Sequence, residues 1–220
     1  MALERFWPLF GLRVTTPQLE LWVPTDGDLE AIADLASRGV HDPSFMPFTI
    51  PWTDAEPGLL EQGMLQYWWR CRGNFSPTQW DFGLAVSHKG TVIGCQNLSS
   101  TDFPTLRVAE TGSWLGLEHQ GKGFGKEMRR AMLHVAFEHL GASAIVSSAY
   151  IDNPSSQGVS RAVGYEENGY SFALRRGRQA EKVHFRITRE RWLETRTDMP
   201  IEVTGWDGCA ALFGLEQGAE

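Results

Sequence analysis

The glycine-rich segment from residue 116 to residue 126 has a composition and spacing suited to binding an anion. Glycines stand at alternate positions 121, 123 and 125, and an amphipathic helical pattern follows. Glycine lets backbone N–H groups approach an anion closely. The N-terminus of a helix adds unpaired donors and the positive end of its dipole. The segment therefore predicts a diphosphate-binding turn, with Lys122 and Lys126 as added positive charges.

Two other phosphate-binding motifs fit this segment less well. The dinucleotide fingerprint requires Gly-x-Gly-x-x-Gly, whereas the spacing here is Gly-x-Gly-x-Gly. The P-loop pattern holds from Gly116 to Lys122, but Gly123 replaces the hydroxyl residue that binds magnesium. A P-loop phosphotransferase and a glycine-rich turn without any ligand stay open as alternatives.

The elements around this turn are predicted from hydrophobic periodicity. Residues 109–117 indicate a strand that leads into the turn, and apolar residues recur at helical spacing from Phe124 to Leu140. The strands follow one another as a meander with helices inserted, which predicts an α+β fold with a mixed sheet. The other predicted strands are 19–23, 80–87, 91–98, 142–151, 165–174 and 180–188, and the other predicted helices are 26–38, 58–72, 154–163 and 189–195.

Two motifs in the correct order carry a family resemblance. Residues 120–125 match Gln/Arg-x-x-Gly-x-Gly/Ala, and residues 153–156 match Asn-x-x-Ser, followed by Val159 and by Gly164-Tyr165. Over roughly residues 15–195 the chain resembles the GNAT superfamily of acyl-CoA-dependent acyltransferases. The sequence Arg-Glu-Arg-Trp at 189–192 is typical of the RimJ/RimL branch, which acetylates ribosomal-protein N-termini. The whole sequence is also similar to a small actinobacterial group for which succinyl-CoA has been proposed as donor.

The resemblance implies a fold and a site for coenzyme A. The fold would be a mixed, mostly antiparallel sheet of about seven strands, splayed between the fourth and fifth and flanked by helices. Residues 1–196 would form the acyltransferase domain, and residues 197–220 a C-terminal extension packed on the domain or on a partner subunit. The backbone of Trp114, Leu115 and Leu117 would bind the pantetheine arm, and Asn153 would touch it. The pyrophosphate would be held by Gln120, Gly121, Lys122, Gly123, Phe124, Gly125 and Lys126.

The chemistry that the resemblance implies is attack of a neutral amine on a thioester. A primary amine is mostly protonated near neutral pH, so a base is needed, and Glu110 is the predicted base ahead of Asp102 and His119. The backbone N–H of Leu115 would stabilise the oxyanion. Many family members protonate the leaving thiolate with a tyrosine seven residues after the asparagine. That position is Ser160 here, so Ser156 is the predicted proton donor.

The remaining expectations concern substrates and partners. Acetyl-CoA or succinyl-CoA would be the co-substrate, without a metal, and the acceptor would be a protein N-terminus, a lysine or a small amine. The net charge of −7 suits a cationic acceptor and argues against nucleic acid as a partner. The chain shows no membrane-spanning run or secretory signal, so we expect a cytoplasmic protein. The tail could add a strand to a neighbour's sheet, so we expect a homodimer. An acyl-CoA sensor without chemistry is the alternative, because the tyrosine is missing.

The segment 40–57 is an apolar loop with prolines at 43, 47, 51 and 57. Four prolines exclude a long regular element. An apolar loop of this length is usually functional or packed on the body of the protein. We expect it to form either a lid over the core or a wall of the acceptor site.

Overall fold

A computed structural model describes residues 3–215 as one central sheet flanked by helices. The strands are β1 Arg13–Thr15, β2 Glu20–Trp22, β3 Gln79–His88, β4 Thr91–Thr101, β5 Val108–Leu115, β6 Ala144–Tyr150, β7 Glu166–Arg175, β8 Arg178–Thr188 and β9 Glu202–Thr204. The helices are α1 Asp26–Ser37, α2 Leu59–Gly73, α3 Phe103–Leu106, α4 Phe124–His134, α5 Pro154–Ala162 and α6 Arg189–Thr195, and α4 continues into a π-helical turn, Val135–His139.

The sheet has the order β7-β8-β6-β5-β4-β3-β2-β1-β9. Neighbouring strands are antiparallel except β5 and β6, which are parallel. Their pairing runs only from Val108 opposite Ala144 to Glu110 opposite Val146, although both strands continue. The α+β fold with a mixed, mostly antiparallel sheet is therefore confirmed. The splay lies between β5 and β6, which are the fourth and fifth strands of the expected fold because β1 adds a strand before them. Within residues 3–215 the sheet has nine strands instead of about seven, because β1 and β9 extend one edge.

Helix α4 is held to the protein body by a buried carboxylate. The side chain of Glu127 accepts hydrogen bonds from the hydroxyl of Thr16 at 2.6 Å, from the backbone N–H of Gln18 at 2.9 Å and from its amide side chain at 2.8 Å. Helical periodicity alone predicts that Glu127 lies on the solvent-facing side of α4, opposite the apolar residues. The structure shows this prediction to be wrong, because Glu127 is buried. The partners lie more than a hundred residues away, so local pattern gives no sign of them.

The C-terminal segment packs on its own chain. Strand β9 pairs with β1, and the ring of Phe213 is fully buried, 5.1 Å from Trp80 and 5.9 Å from Trp206. We expected the tail to add a strand to a neighbour's sheet, but β9 instead joins the sheet of its own chain. Residues 216–220 of the predicted extension lie outside the described residues. In the part of the chain that the structure describes, no helix is long and apolar enough to cross a membrane.

Candidate active site

The divergence of β5 and β6 opens a cleft of about 860 Å³. Its walls come from both strands, the glycine-rich turn, the first turns of α4 and α5, and the loop at residues 40–49. The structure therefore brings together segments that are far apart in sequence. The predicted site residues on these walls are Glu110, Trp114, Leu115, Leu117, Gln120, Gly121, Gly123, Gly125, Lys126, Asn153 and Ser156.

The sheet register decides which backbone groups of β5 face the cleft. Gly116 donates its N–H to Ile93, so Gly116 and, by the two-residue alternation, Trp114 direct their backbone groups toward β4. Ser113 and Leu115 direct theirs toward the gap. The expected backbone contact of Trp114 with a ligand does not fit this register. Trp114 nevertheless lines the cleft, and its ring lies 5.8 Å from the ring of Trp52.

The glycine-rich turn forms a nest of unpaired donors at the start of α4. Gly121 has φ of 73° and Gly123, the N-cap, has φ of 89°, a backbone region that favours glycine. Within residues 3–215, the N–H groups of 121–125 donate no hydrogen bond. They remain available for an anion together with Lys126, which lines the cleft.

Three residues of this turn act differently from the expectation. The Gln120 amide donates to the carbonyl of Val40 at 2.6 Å and to that of Leu115 at 2.9 Å, so it braces the turn. The ring of Phe124 is buried 4.7 Å from the His88 ring, which leaves only its backbone for a ligand. The side chain of Lys122 is exposed and does not form part of the cleft wall.

The second predicted motif forms the N-terminus of α5. Asn153 caps this helix, and its side-chain oxygen accepts the N–H of Ser156 at 3.1 Å. Both residues line the cleft. Ser160, which stands at the position of the family's tyrosine, is buried and does not line it. Of these two serines, Ser156 is the one whose position suits contact with a bound donor.

Glu110 lies where the two strands separate. It belongs to the last paired position of β5, and the hydroxyl of Ser148 donates to its carboxylate at 3.5 Å. The residue is exposed and borders both the cleft and a second cavity of about 530 Å³. His119 and Asp102, the lesser candidates for the base, border neither cavity.

The second cavity is walled by α2 and by strands β3 to β6. Inside it, Asp81 accepts hydrogen bonds from the Tyr67 hydroxyl at 2.7 Å and from the Asn97 amide at 3.1 Å. Burial raises the pKa of Cys71 to about 12, so this thiol stays protonated and is no nucleophile. Sequence reasoning missed this cavity because its walls come from helices and strands that carry no recognisable motif.

The loop 40–57 forms a wall of the cleft. Its Phe48 and Trp52 rings lie 5.1 Å apart, and Trp52 lies 5.8 Å from Trp114. Arg176, at the β7–β8 turn, pairs with Asp54 at 2.5 Å and anchors the loop. The Arg176 guanidinium also lowers the pKa of the Asp54 carboxyl. The loop lines the cleft in the splayed sheet and contributes no residue to the second cavity. Its expected role as a wall of the acceptor site stays a prediction.

The sheet is mixed and splayed, with an anion nest at the wide end of the gap and a carboxylate at the narrow end. This combination is typical of proteins that bind the coenzyme A thioester. The sequence model of the Acetyltransferase (GNAT) domain matches residues 18–166. The chain belongs to this family, whose members transfer acyl groups from coenzyme A to amines.

Individual relatives agree with this assignment. A Bacillus subtilis (strain 168) protein, provisionally named the ribosomal N-acetyltransferase YdaF, is 30% identical over 82 residues, which are 37% of this chain and 44% of that protein. The match therefore spans less than half of that relative's length. Two solved structures share the fold with a TM-score of 0.62 each. One is a Vibrio cholerae spermidine N-acetyltransferase in complex with CoA and spermine, 24% identical over 80% of this chain and 98% of that chain. The other is RimL, the ribosomal L7/L12 alpha-N-protein acetyltransferase, in complex with coenzyme A, 15% identical over 79% of this chain and 95% of that chain.

Proposed function

We propose that this protein transfers an acyl group from acyl-CoA to a primary amine, with the donor in the cleft and the acceptor in the second cavity. The observation that carries the proposal is the position of Glu110, which borders both cavities where the strands separate. A base at that position faces the donor and the acceptor together. A sensor without chemistry has no need of such a carboxylate, so the catalytic function is favoured.

The donor is bound along the cleft in three parts. The N–H groups of residues 121–125 and the Lys126 ammonium bind the pyrophosphate. Backbone groups of β5 that face the gap bind the pantetheine arm, next to the side chain of Asn153. The thioester oxygen then lies at the Leu115 N–H, the candidate donor to its oxyanion. Glu110 lies five residues away on β5, about 16 Å by backbone rise, so it acts on the attacking amine through bound water.

The reaction is a direct transfer. The amine nitrogen attacks the thioester carbonyl carbon, a C–N bond forms and the C–S bond breaks. Glu110 accepts the proton that the amine loses, through bound water. Ser156 passes a proton to the leaving thiolate and regains one from water, while Glu110 releases its proton to water. The products are an amide and free coenzyme A, and both side chains return to their starting states.

The acceptor is a cationic primary amine. Two carboxylates, Asp81 and Glu110, border the second cavity against one cation, Arg70, among the described residues. The relatives act on spermidine or on ribosomal protein according to their names, which supports a small amine or a protein N-terminus. A lysine side chain stays a third possibility. Acetyl-CoA and succinyl-CoA are both proposed donors, and the cytoplasmic homodimer stays a prediction.

Release of free thiol from acyl-CoA, measured with a panel of amines, tests the proposal. We expect release that rises and saturates with amine concentration, and an amide product of the corresponding mass. The panel would contain polyamines, lysine and peptides with free N-termini. Binding of coenzyme A without thiol release for any amine would favour the sensor. Magnesium-dependent ATP binding without coenzyme A binding would overturn the whole assignment.

A further inference from the structure

Gly112 lies on β5 between the two cavities of the proposed site. It is two residues from Glu110, which borders both cavities, and two residues from Trp114, which lines the donor cleft. Side chains alternate along a strand, so residues 110, 112 and 114 share one face of the sheet. Gly112 therefore leaves a gap in a row of side chains, about 7 Å along the strand from Glu110. This gap opens into the donor cleft.

Neither conformation nor packing requires a glycine at this position. The φ of Gly112 is not positive, and the pairing of β4 with β5 has no register shift there. An ideal Cβ at Gly112 would meet no atom within 4 Å. The other glycines within the described strands differ in this respect. The Cβ would lie 2.6 Å from a tryptophan ring at Gly83 and 2.2 Å from a backbone oxygen at Gly94, and Gly169 has a φ of 100°.

A glycine inside a strand costs conformational entropy and side-chain packing. Where no bulge or close contact explains it, it marks a place at which a ligand approaches the backbone. The neighbours of Gly112 on the same face of the sheet are polar. Asn97 is its partner on β4, and the Glu110 carboxylate accepts the Ser148 hydroxyl at 3.5 Å. The gap is thus a passage with polar sides between the second cavity and the donor cleft.

The proposed function requires such a passage. The acceptor occupies the second cavity, whereas the thioester lies at the Leu115 N–H, beyond Gly112 on the same strand. A side chain at Gly112 would stand between the two. An amine at the end of an unbranched alkyl arm fits a gap left by one missing side chain. An amine on a branched carbon brings the branch into the gap as well.

We propose that Gly112 determines which acceptors reach the thioester. It admits a primary amine on an unbranched alkyl arm and excludes an amine on a branched carbon, such as the α-amine of an N-terminal residue that has a side chain. This inference rests on the proposed function. In the transfer the nitrogen at the end of the arm attacks the thioester carbon, the C–N bond forms and the C–S bond breaks. Coenzyme A leaves as the thiol, and the amine proton passes through water to Glu110.

Nα-acetyl-lysine amide and Nε-acetyl-lysine amide are matched acceptors, because they are isomers that differ only in which amine is free. The α-amine has a pKa of about 8 and the ε-amine one of about 10.4, so more of the α-amine is neutral and ready to attack. We nevertheless expect kcat/KM for the free ε-amine to be higher by about 10-fold or more. The donor is acetyl-CoA or succinyl-CoA, whichever is turned over.

Gly112→Val places a side chain in the passage. The variant should fold, since an added Cβ meets no atom and valine suits a strand. It should lower kcat/KM for the free ε-amine by about 100-fold and leave the Kd of coenzyme A within about twofold of the wild-type value. Gly63→Val is the control, because it adds the same side chain in open space on α2, away from both cavities. It should act as the wild type does.

Two further acceptors separate the possible sources of the arm. 1-Aminopentane represents a small molecule, and a peptide with an acetylated N-terminus and an internal lysine represents a protein. Turnover of either supports the inference and identifies the source, and turnover of neither contradicts it.

Three results would overturn the inference. The first is a wild-type protein that uses the free α-amine as well as the free ε-amine, or better. The second is a Gly112→Val protein with an unchanged kcat/KM for the ε-amine. The third is a Gly112→Val protein whose Kd for coenzyme A rises by the factor by which kcat/KM falls, which would show that the donor is the ligand that approaches Gly112. If Gly112→Val does not fold, Gly112→Ala is judged by the same criteria.

Failure of the proposed function is separable from failure of this inference. If no amine releases thiol, calorimetric Kd values of the two lysine isomers for the coenzyme A complex still report on the passage. A preference for the free ε-amine that Gly112→Val removes would support the passage even then, and equal Kd values would contradict it. Thiol release with the free α-amine alone would uphold the proposed function and refute the passage.

Discussion

Glu110 forms no ion pair with the described residues 3–215 that would explain its position as structural. Its one hydrogen bond among the described residues comes from Ser148 at 3.5 Å, which is long. The carboxylate is exposed at the boundary of two cavities. A base needs such access to substrate, whereas a carboxylate that stabilises the fold is usually buried and satisfied, as Glu127 is.

The first prediction concerns this carboxylate. Glu110→Gln should lower kcat by about 100-fold or more, the range that general base catalysis contributes, and should leave the Kd of coenzyme A nearly unchanged. Steady-state kinetics and calorimetry measure the two effects. Glu118→Gln, at an exposed carboxylate paired with Arg38, serves as the control. An active Glu110→Gln protein would exclude Glu110 as the base.

Sequence reasoning found those site residues that belong to contiguous motifs. The alternating nest glycines indicated an anion-binding turn by their spacing, whereas the roles of Asn153 and Ser156 came from the resemblance of their motif to the GNAT family. Arg129, which lines the donor cleft, and Asp81 gave no such signal. Their partners, such as Ser147 and Tyr67, lie on other elements and are brought close only by the folded sheet.

At the scale of elements, the glycine-rich turn links β5 to α4 through two residues of positive φ. This left-handed backbone conformation costs a residue other than glycine about 1–2 kcal/mol. The ideal Cβ of an alanine at Gly121 or Gly123 would meet no atom within 4 Å. Strain in the backbone is therefore the main effect of a substitution in the free protein.

The second prediction follows from that geometry. Gly123→Ala should shift the turn and raise the Kd of coenzyme A by about 10-fold, because 1.4 kcal/mol corresponds to a factor of ten. Isothermal titration calorimetry measures it. Gly63→Ala, in the middle of α2 and also without a close neighbour, should bind coenzyme A as the wild type does. An unchanged Kd for Gly123→Ala would show that the nest does not bind coenzyme A.

The longer elements were predicted well because several periods of pattern define them. Strands β3 to β8 and helices α1, α2, α4, α5 and α6 all appear near the predicted positions. Strand β1 has three residues and α3 has four, which is too short for a period to be recognised. Their formation depends on neighbours, since β1 is paired on both sides by β2 and β9.

At the scale of the whole molecule, the C-terminal segment completes the core. Phe213 is fully buried and packs against four aromatic rings. These are Trp80 and Phe82 of β3, Phe75 just before β3, and Trp206 of the C-terminal segment. Removing a buried ring loses both its transfer free energy and its packing. The C-terminal segment is therefore part of the folded unit.

The third prediction tests that role. Phe213→Ala should lower the free energy of unfolding by about 3–5 kcal/mol. Phe172→Ala, whose ring is 66% exposed on β7, should change it by less than about 0.5 kcal/mol. Urea denaturation of the two variants gives the comparison. Equal stabilities would mean that the segment is not needed for the fold.

The fourth prediction concerns pH. Burial lowers the pKa of His134 and of His139, Glu138 opposes the shift in both, and Arg196 adds to the shift in His134. Both rings are therefore protonated more readily in the unfolded chain, where the pKa is about 6.5. Their stabilising contribution is complete above that pH and is lost as the pH falls below it.

Urea unfolding at pH 7.5 and at pH 5.5 measures this effect. The protein should be less stable at the lower pH, and the double variant His134→Gln/His139→Gln should show a smaller difference between the two pH values. His184→Gln is the control, because the His184 ring lies on β8 and bonds to Ser171. A double variant with the full pH dependence of the wild type would contradict the assignment.

Hydrogen–deuterium exchange with and without coenzyme A tests the central claim that the gap between β5 and β6 holds the donor. The N–H groups of residues 121–125 are unpaired in the described structure and should exchange fast. Coenzyme A should slow exchange in peptides that cover 111–126 and 147–157, and should leave peptides of β7 and β9 unchanged. Protection confined to other segments, or none at saturating coenzyme A, would contradict the account.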